Sequence, residues 1–339
     1  MKTEKIISVP VLQSEETLYY NRVDRALILH LQKLSTEDGP GIRTTVFFKG
    51  CPLHCEWCHN PESISFKRQI QWIESRCIGC GLCVDICPYH CLHFDGNTLY
   101  RNRDNCRVCG KCAEECPAGA QEILGQEITL EKLMSEIQKD RIYYEKSGGG
   151  VTLSGGEPMM QPHFVLNLFR ELKHTGINTA LDTCGLCSPQ SLQQILPYTD
   201  IILYDLKEID PERHREFTGR DNGRILSNLL LIKDYIINHP WLTLWIRTPL
   251  IPGATANRKT VEQIGHYIYT NLKDVFQRWE LCAFNNLCRD KYRRLNIQWK
   301  YSATPLISKE ELDTLEKIGK ESGPDPARVF ATGATKVES

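Results

Sequence analysis

The feature that most limits what this chain can fold into is a doubled cysteine run. The first copy reads Cys77-x2-Cys80-x2-Cys83-x3-Cys87-Pro88. The second reads Cys106-x2-Cys109-x2-Cys112-x3-Cys116-Pro117, 29 residues later. Around these copies, from about Ile73 to Ile123, no helical period of useful length survives. Such a segment is stabilised by what its thiolates bind rather than by a core. The chain carries 16 cysteines in 339 residues, and Met1 to Gln13 lacks the apolar run of a secretion signal. Metal or redox use is therefore favoured over a disulfide framework, and a reducing, anaerobic cytoplasm is the expected setting.

Three more cysteines stand in Gly50-Cys51-Pro52-Leu53-His54-Cys55-Glu56-Trp57-Cys58-His59-Asn60, spaced Cys-x3-Cys-x2-Cys. A four-iron cubane usually takes four thiolates, and this loop offers three. One iron is then open to a small molecule, as the vacant position of a catalytic metal site is. A zinc site or three reduced core thiols are the alternatives, although zinc more often joins Cys-x2-Cys to a second Cys or His pair. The doubled run matches the spacing of bacterial two-cluster ferredoxins, in which the fourth cysteine of each run crosses to the other cluster. On that pattern Cys77, Cys80, Cys83 and Cys116 hold one cluster, and Cys106, Cys109, Cys112 and Cys87 the other. A zinc ribbon is the alternative. The expected organisation is a short extension at 1–25, a discontinuous domain at 26–72 and 124–339, and a ferredoxin-like insert at 73–123.

Outside the insert, strand and helix patterns alternate. Leu27–Gln32 and Thr44–Phe48 read as strands, and the second delivers the cysteine loop at its C-terminal end. Strands follow at Val151–Ser154, Ile177–Asp182, Ile201–Asp205, Leu242–Arg247 and Trp279–Cys282. Helices are expected over Leu130–Glu145, His163–His174, Gln190–Leu196, Pro211–Phe217, Arg224–Asn238, Val261–Leu272 and Lys309–Glu321. This order predicts an α/β fold with a parallel sheet, and about six units make an open partial barrel rather than a closed eight-fold one. A content of 41% apolar residues supports a sizeable core. A net charge of -1 gives no field that invites nucleic acid. No window approaches 18 uninterrupted apolar residues, so no membrane span is expected.

Polar groups collect at the strand ends, where parallel α/β folds place their sites. Ser154-Gly155-Gly156-Glu157 offers close backbone approach and a carboxylate, although a plain turn is the default reading of such a run. Asp182-Thr183 ends the next strand. Asp205 and Lys207 share one side of another, where they suit a zwitterionic ligand, with a surface ion pair as the bland alternative. Arg247 stands at a fourth strand end, with a structural salt bridge as its alternative. Ser147–Gly150 lacks the Lys-Ser/Thr of a P-loop.

The three-cysteine loop, with Trp57 before its last cysteine, resembles the cluster motif of the radical S-adenosylmethionine (SAM) enzymes. Taken with Asp38-Gly39-Pro40-Gly41-Ile42-Arg43, His59-Asn60, Ser154–Glu157, Asp182-Thr183 and Asp205-Leu206-Lys207, the chain is similar over roughly residues 27–285 to the glycyl radical enzyme activating enzymes. The ferredoxin-like insert resembles that of the subgroup serving dehydratases, decarboxylases and fumarate-adding lyases. The resemblance implies a partial (β/α)6 barrel and three [4Fe-4S] clusters, one of which binds SAM. It also implies reductive cleavage of SAM to a 5′-deoxyadenosyl radical, which takes a hydrogen from a glycine α-carbon of a partner enzyme.

Residue by residue, it implies that Cys51, Cys55 and Cys58 hold the SAM cluster and that Trp57 and His59 line the nucleoside. Gly155, Gly156 and Glu157 take the methionine amino end, and Asp205 and Lys207 contact the ribose and carboxylate. Asp182, Thr183, Asp205 and the carbonyl of Leu203 match a monovalent-cation site. Asp38 to Arg43 face the partner's glycine loop. A ferredoxin or flavodoxin supplies electrons through the insert. Asn285 falls where the pyruvate formate-lyase activase carries a SAM-contacting histidine. An amide replaces imidazole as a hydrogen-bonding group but not as a base. The Phe284-Asn285-Asn286 stretch looks most like the activases of benzylsuccinate and related arylalkyl- or alkylsuccinate synthases, with decarboxylases and diol- or choline-type lyases as alternative partners. Cys91, Cys184, Cys187, Cys282 and Cys288 remain, and Cys184-x2-Cys187 reads as reduced structural thiols rather than a redox pair. Two rival classes are a radical SAM enzyme acting on a small molecule and an iron–sulfur electron carrier. The carrier leaves the Gly-Gly-Glu and Asp-x-Lys strand ends unexplained.

Overall fold

A computed structural model describes residues 22–336. Most of the 1–25 extension therefore lies outside the described residues. Its last residues already belong to the fold, because the carbonyl of Asp24 accepts from the Leu130 amide and Arg25 opens the first strand. In chain order the strands are β1 (Arg25–Ser35), β2 (Arg43–Phe48), β3 (Gln69–Trp72), β4 (Leu92–Asp95), β5 (Thr98–Arg101), β6 (Gln121–Leu124) and β7 (Gln126–Thr129). They continue as β8 (Gly150–Gly155), β9 (Asn178–Thr183), β10 (Ile201–Asp205), β11 (Thr243–Leu250), β12 (Phe276–Ala283) and β13 (Val329–Thr332).

Nine of these form one sheet, ordered β13-β12-β11-β10-β9-β8-β2-β1-β7. From β2 through β8 to β13 every pairing is parallel, while β1 and β7 close the other edge antiparallel. This is an α/β architecture with an open sheet. Strands β8 and β10 read as near-continuous buried runs, as strands covered on both faces do, whereas β11 alternates buried and half-buried residues. Helix Pro162–His174 shows why they are covered: Phe164, Val165, Leu168, Phe169 and Leu172 recur at helical spacing and are all buried in the main core.

Several expectations need correction. The helix expected over Leu130–Glu145 is two helices, Leu130–Gln138 and Arg141–Ser147. The break falls at Asp140, whose buried carboxylate accepts from Thr44 Oγ1 at 3.1 Å and pairs with Lys33 at 3.2 Å. A tertiary anchor here overrides helical pattern. Strand β11 runs on to Leu250, so Arg247 lies within it rather than at its end. The sheet also carries a further parallel strand, β13, and the helix Arg289–Arg294, neither of which the alternation predicted.

The cysteine-rich segment folds apart from the sheet. Strands β3 and β6 pair antiparallel as a stem beginning at Gln69, earlier than the composition change at Ile73, and β4 and β5 form a hairpin. Two four-residue helices, Leu82–Asp85 and Lys111–Glu114, each follow a left-handed glycine, Gly81 and Gly110, so the sequence repeat is also a structural one. A separate small core joins Ile70, Trp72, Leu92, Leu99 and Ala120 with Cys87, Cys91 and Cys112. None of the sixteen cysteines is paired in a disulfide.

Candidate active site

The cysteine loop leaves β2 and is held from three sides. The amides of Gly50 and Cys51 donate to the carbonyls of Ser63 and Ile64, and those of His54 and Glu56 donate to Thr218 and Phe217 at the end of helix Pro211–Thr218. Trp57 is buried with its ring 5.7 Å from Phe217. From the C-terminal side, Tyr292 donates to the Cys58 carbonyl at 2.8 Å and Trp299 Nε1 to the Glu56 carbonyl at 3.0 Å. Lys291 donates to the His59 carbonyl and Asn60 Oδ1, and pairs with Glu62 at 2.7 Å. These three residues escaped the sequence reading. The only signal was the aromatic density of Tyr292, Trp299 and Tyr301 after the last expected strand.

The end of β8 closes against this loop. The Gly156 amide donates to Phe48 and the Glu157 amide to Gly50. Gly155 has φ +105°, and a Cβ on Gly156 would lie 2.4 Å from the Gly50 carbonyl oxygen. The glycine pair is thus required first by backbone approach between two strand ends.

A cavity of about 300 Å³ opens over these ends. Its walls include Cys51, Cys55, Trp57, Cys58 and His59 from the loop, and Gly155, Gly156, Asp182, Thr183, Asp205, Lys207 and Arg247 from the strands. Most of the expected site therefore converges. Along the inner face the sheet register sets Asp205 beside Arg247 and Arg247 beside Glu280. Ser154 Oγ donates to Asp182 at 2.6 Å, Asp182 faces Arg247 at 3.6 Å, and Arg247 reaches Glu280 at 3.4 Å. Lys207 donates to Asp205. Burial pushes the Asp182 carboxyl up to about 7, against the pull of Arg247. Burial alone would lower the Lys207 ammonium, but Asp205 and the nearby thiols hold it above its ordinary value. The cavity floor therefore offers carboxylates and cations side by side, a match for a ligand bearing both an amine and a carboxylate.

Some expected residues stand elsewhere. Glu157 is fully buried and does not line the cavity. Its carboxylate accepts from Thr183 Oγ1 and from the amides of Met159 and Cys184. Asn285 is half-buried outside the lining, with Oδ1 accepting from the Leu287 amide. Its backbone bonds the His59 imidazole, whose pKa burial lowers. Of the expected cation set, Asp182, Thr183 and Asp205 line this one cavity and Leu203 pairs with Asp182 across the sheet, while the Thr183 hydroxyl turns to Glu157 and Arg247 stands beside Asp182. Among the described residues, no three His, Cys, Asp or Glu side chains are grouped to share one metal ion. A cluster sets less stringent grouping, because each thiolate takes a different iron. Arg43 is buried and donates to Thr152, Val151 and Asn178.

In the cysteine-rich segment a second cavity is lined by Cys77, Cys80, Cys83 and Cys116 together, with Ile78, Leu82 and Phe94 around them. Cys106 and Cys112 instead meet at the guanidinium of Arg101, and Cys87 Sγ lies 3.4 Å from Cys91 Sγ.

With this geometry in place, similarity to known proteins becomes informative. A family model of the radical SAM superfamily matches residues 45–264. The trans-4-hydroxy-L-proline dehydratase activating enzyme of Clostridioides difficile is 37% identical over 293 residues, 86% of this chain and 95% of that protein. The choline trimethylamine-lyase activating enzyme of Oleidesulfovibrio alaskensis is 37% identical over 86% of this chain and 94% of that protein. The pyruvate formate-lyase 2-activating enzyme of Escherichia coli is 35% identical over 89% and 92%. The chain belongs to the radical SAM superfamily and, within it, to the family of glycyl radical enzyme activating enzymes. Among the described residues, no helix is long and apolar enough to cross a membrane.

Proposed function

We propose that this protein activates a partner glycyl radical enzyme, with Cys51, Cys55 and Cys58 holding a [4Fe-4S] cluster at the mouth of the cavity and SAM bound across the strand ends. The observation that carries this reading is the convergence of those three thiols on one cavity with Gly155, Gly156, Asp205, Lys207 and Arg247. Held by Cys51, Cys55 and Cys58, the cluster would pass one electron to SAM, whose C5′–S bond would break to give methionine and a 5′-deoxyadenosyl radical able to take a hydrogen atom from the partner's glycine α-carbon. The chain's own residues bind and orient. Lys207 and Arg247 are placed for a carboxylate, Asp182 and Asp205 for an amine or ribose hydroxyls, and Trp57 and Phe284 present apolar surface to a nucleoside and exclude water. No side chain is required to act as a general acid or base.

The cysteine-rich insert is read as carrying two further [4Fe-4S] clusters, for a total of three. The grouping of Cys77, Cys80 and Cys83 with Cys116 in one cavity supports the crossed pairing. These clusters pass electrons inward from a ferredoxin or flavodoxin in an anaerobic cytoplasm. As partner, the Phe284-Asn285-Asn286 stretch favours a fumarate-adding arylalkyl- or alkylsuccinate synthase. The relatives that act on a hydroxyproline dehydratase and a choline lyase favour a lyase or dehydratase instead.

The test is anaerobic electron paramagnetic resonance on the reconstituted protein with SAM, a reductant and a panel of purified glycyl radical enzymes from both groups. A glycine-centred doublet with one partner is expected. 5′-Deoxyadenosine formed without any doublet would redirect the reading to a small-molecule substrate or a partner missing from the panel. Neither signal, with iron content complete, would overturn it.

A further inference from the structure

The two halves of the insert repeat in sequence and in backbone, yet their surroundings differ at two positions. The fourth cysteine of each half receives the same main-chain contact. The Ala120 amide donates to Cys116 Sγ at 3.2 Å, and the Cys91 amide donates to Cys87 Sγ in the equivalent place. Cys91 and Ala120 are themselves repeat partners, so one half carries a thiol where the other carries a methyl group. That thiol is buried, lies 3.4 Å from Cys87 Sγ and stands within hydrogen-bonding reach of Cys106. An S–H is a weak donor, and both of its neighbours are assigned to the same cluster.

The second difference is charge. Arg101, at the end of β5, sets Nη1 3.5 Å from Cys106 Sγ and Nη2 3.8 Å from Cys112 Sγ, while Nη2 also donates to Gln121 Oε1 at 2.6 Å. Among the described residues, no cation lines the cavity of Cys77, Cys80, Cys83 and Cys116. Arg76, the arginine next to Cys77, is held instead by Glu122 and the Gly119 carbonyl.

A cluster gains a negative charge when reduced. Donors and cations at its sulfurs stabilise that state and raise its potential. Burial works the other way, and Cys87 and Cys112 are more buried than Cys116 and Cys83. A whole guanidinium charge in contact with two ligand sulfurs outweighs that difference between buried and half-buried thiols. We infer that the insert is electronically asymmetric: the cluster of Cys106, Cys109, Cys112 and Cys87, beside Arg101 and Cys91, takes up an electron before its repeat partner. The first electron delivered to the insert then settles at the Arg101 end. This rests on the two-cluster reading of the insert.

The experiment uses the full chain with Cys51→Ala, Cys55→Ala and Cys58→Ala, so that only insert clusters remain. Iron and acid-labile sulfide are counted first, and less than two clusters' worth would remove the two-cluster reading and this inference with it. With both clusters present, a redox titration followed by electron paramagnetic resonance is expected to show two waves. Arg101→Met should move the upper wave to more negative potential and leave the lower in place. Arg101→Lys should retain most of the separation, and Cys91→Ala should give a smaller shift in the same direction. A single wave in the parent would overturn the asymmetry. So would a separation that neither Arg101→Met nor Cys91→Ala changes, in proteins whose iron content matches the parent.

Discussion

The loop of Cys51, Cys55 and Cys58 and the insert of eight run cysteines are both proposed here to hold clusters, and their backbones are held in opposite ways. The loop's backbone is fixed by Ser63 and Ile64 just beyond it and by partners far along the chain: Phe217, Thr218, Tyr292 and Trp299. These sit on elements whose positions the main core already decides. The insert's cysteine turns bond mainly to themselves, through short contacts such as Val84 to Gly81 and Ala113 to Gly110. Their core is small and includes cysteines among its members. In the loop the fold places the thiols, whereas the insert's turns have little beyond themselves and a small core to hold them.

The largest consequence is a difference in how the two regions survive without iron. A single core in a unit below about 70–80 residues seldom supplies more than 3–5 kcal/mol. The iron-free chain, followed by amide hydrogen exchange and mass spectrometry, should lose protection across 69–124 while β8 to β12 stay protected. Restoring iron and sulfide should return the insert to protection. An insert that stays protected without metal would show that Ile70, Trp72, Leu92 and Leu99 suffice, and the contrast would fall.

Glycines sharpen the same contrast at smaller scale. Gly156 packs onto the Gly50 carbonyl, so Gly156→Ala forces two strand ends apart. Overpacking of this kind costs about 1–3 kcal/mol, and the displaced loop should also bind less iron. Gly79 in the insert, at φ +68°, has open space around its Cβ position. Gly79→Ala should cost only the left-handed backbone penalty, about 1–2 kcal/mol, with the loop's iron unchanged. Thermal unfolding and iron analysis of the two variants test this, and equal iron loss in both would contradict it.

The two regions also differ in how far the sequence exposed them. One of the insert's two expected groupings, Cys77, Cys80 and Cys83 with Cys116, converges on a cavity, and it was legible because the repeat is local and matches the two-cluster ferredoxin pattern. The parallel order of the main sheet was legible from alternation, and Ile201–Asp205 and Lys309–Glu321 were bounded to the residue. What stayed hidden depends on contacts between distant segments. Lys291, Tyr292 and Trp299 brace the cysteine loop across more than two hundred residues of chain, and the aromatic density around them does not say what they touch. Asp140 breaks a helix because Thr44 and Lys33 reach it, and Arg43 is buried and satisfied by oxygens on β8 and β9.

Glu157 is the finest test of that difference, because sequence and structure give it different work. As a contact for the methionine amine, it should govern SAM affinity and matter little to the fold. As placed, it is a buried carboxylate tying β8 to Thr183 and Cys184 on the next strand. Glu157→Gln keeps the size but turns an amide NH2 toward donors, and an unsatisfied buried group costs about 1–3 kcal/mol. Burial raises the Glu157 pKa, with its hydrogen bonds only partly offsetting the effect. The folded state then holds a proton that the unfolded state has released. Its contribution is most favourable below the ordinary carboxylate range and declines as pH rises toward the raised value. The Gln variant should unfold at lower temperature and show a flatter pH dependence across that window, with SAM affinity changed little in the protein that remains folded. An unaltered unfolding temperature together with a large loss of SAM binding would return Glu157 to the ligand and require the carboxylate to swing into the cavity.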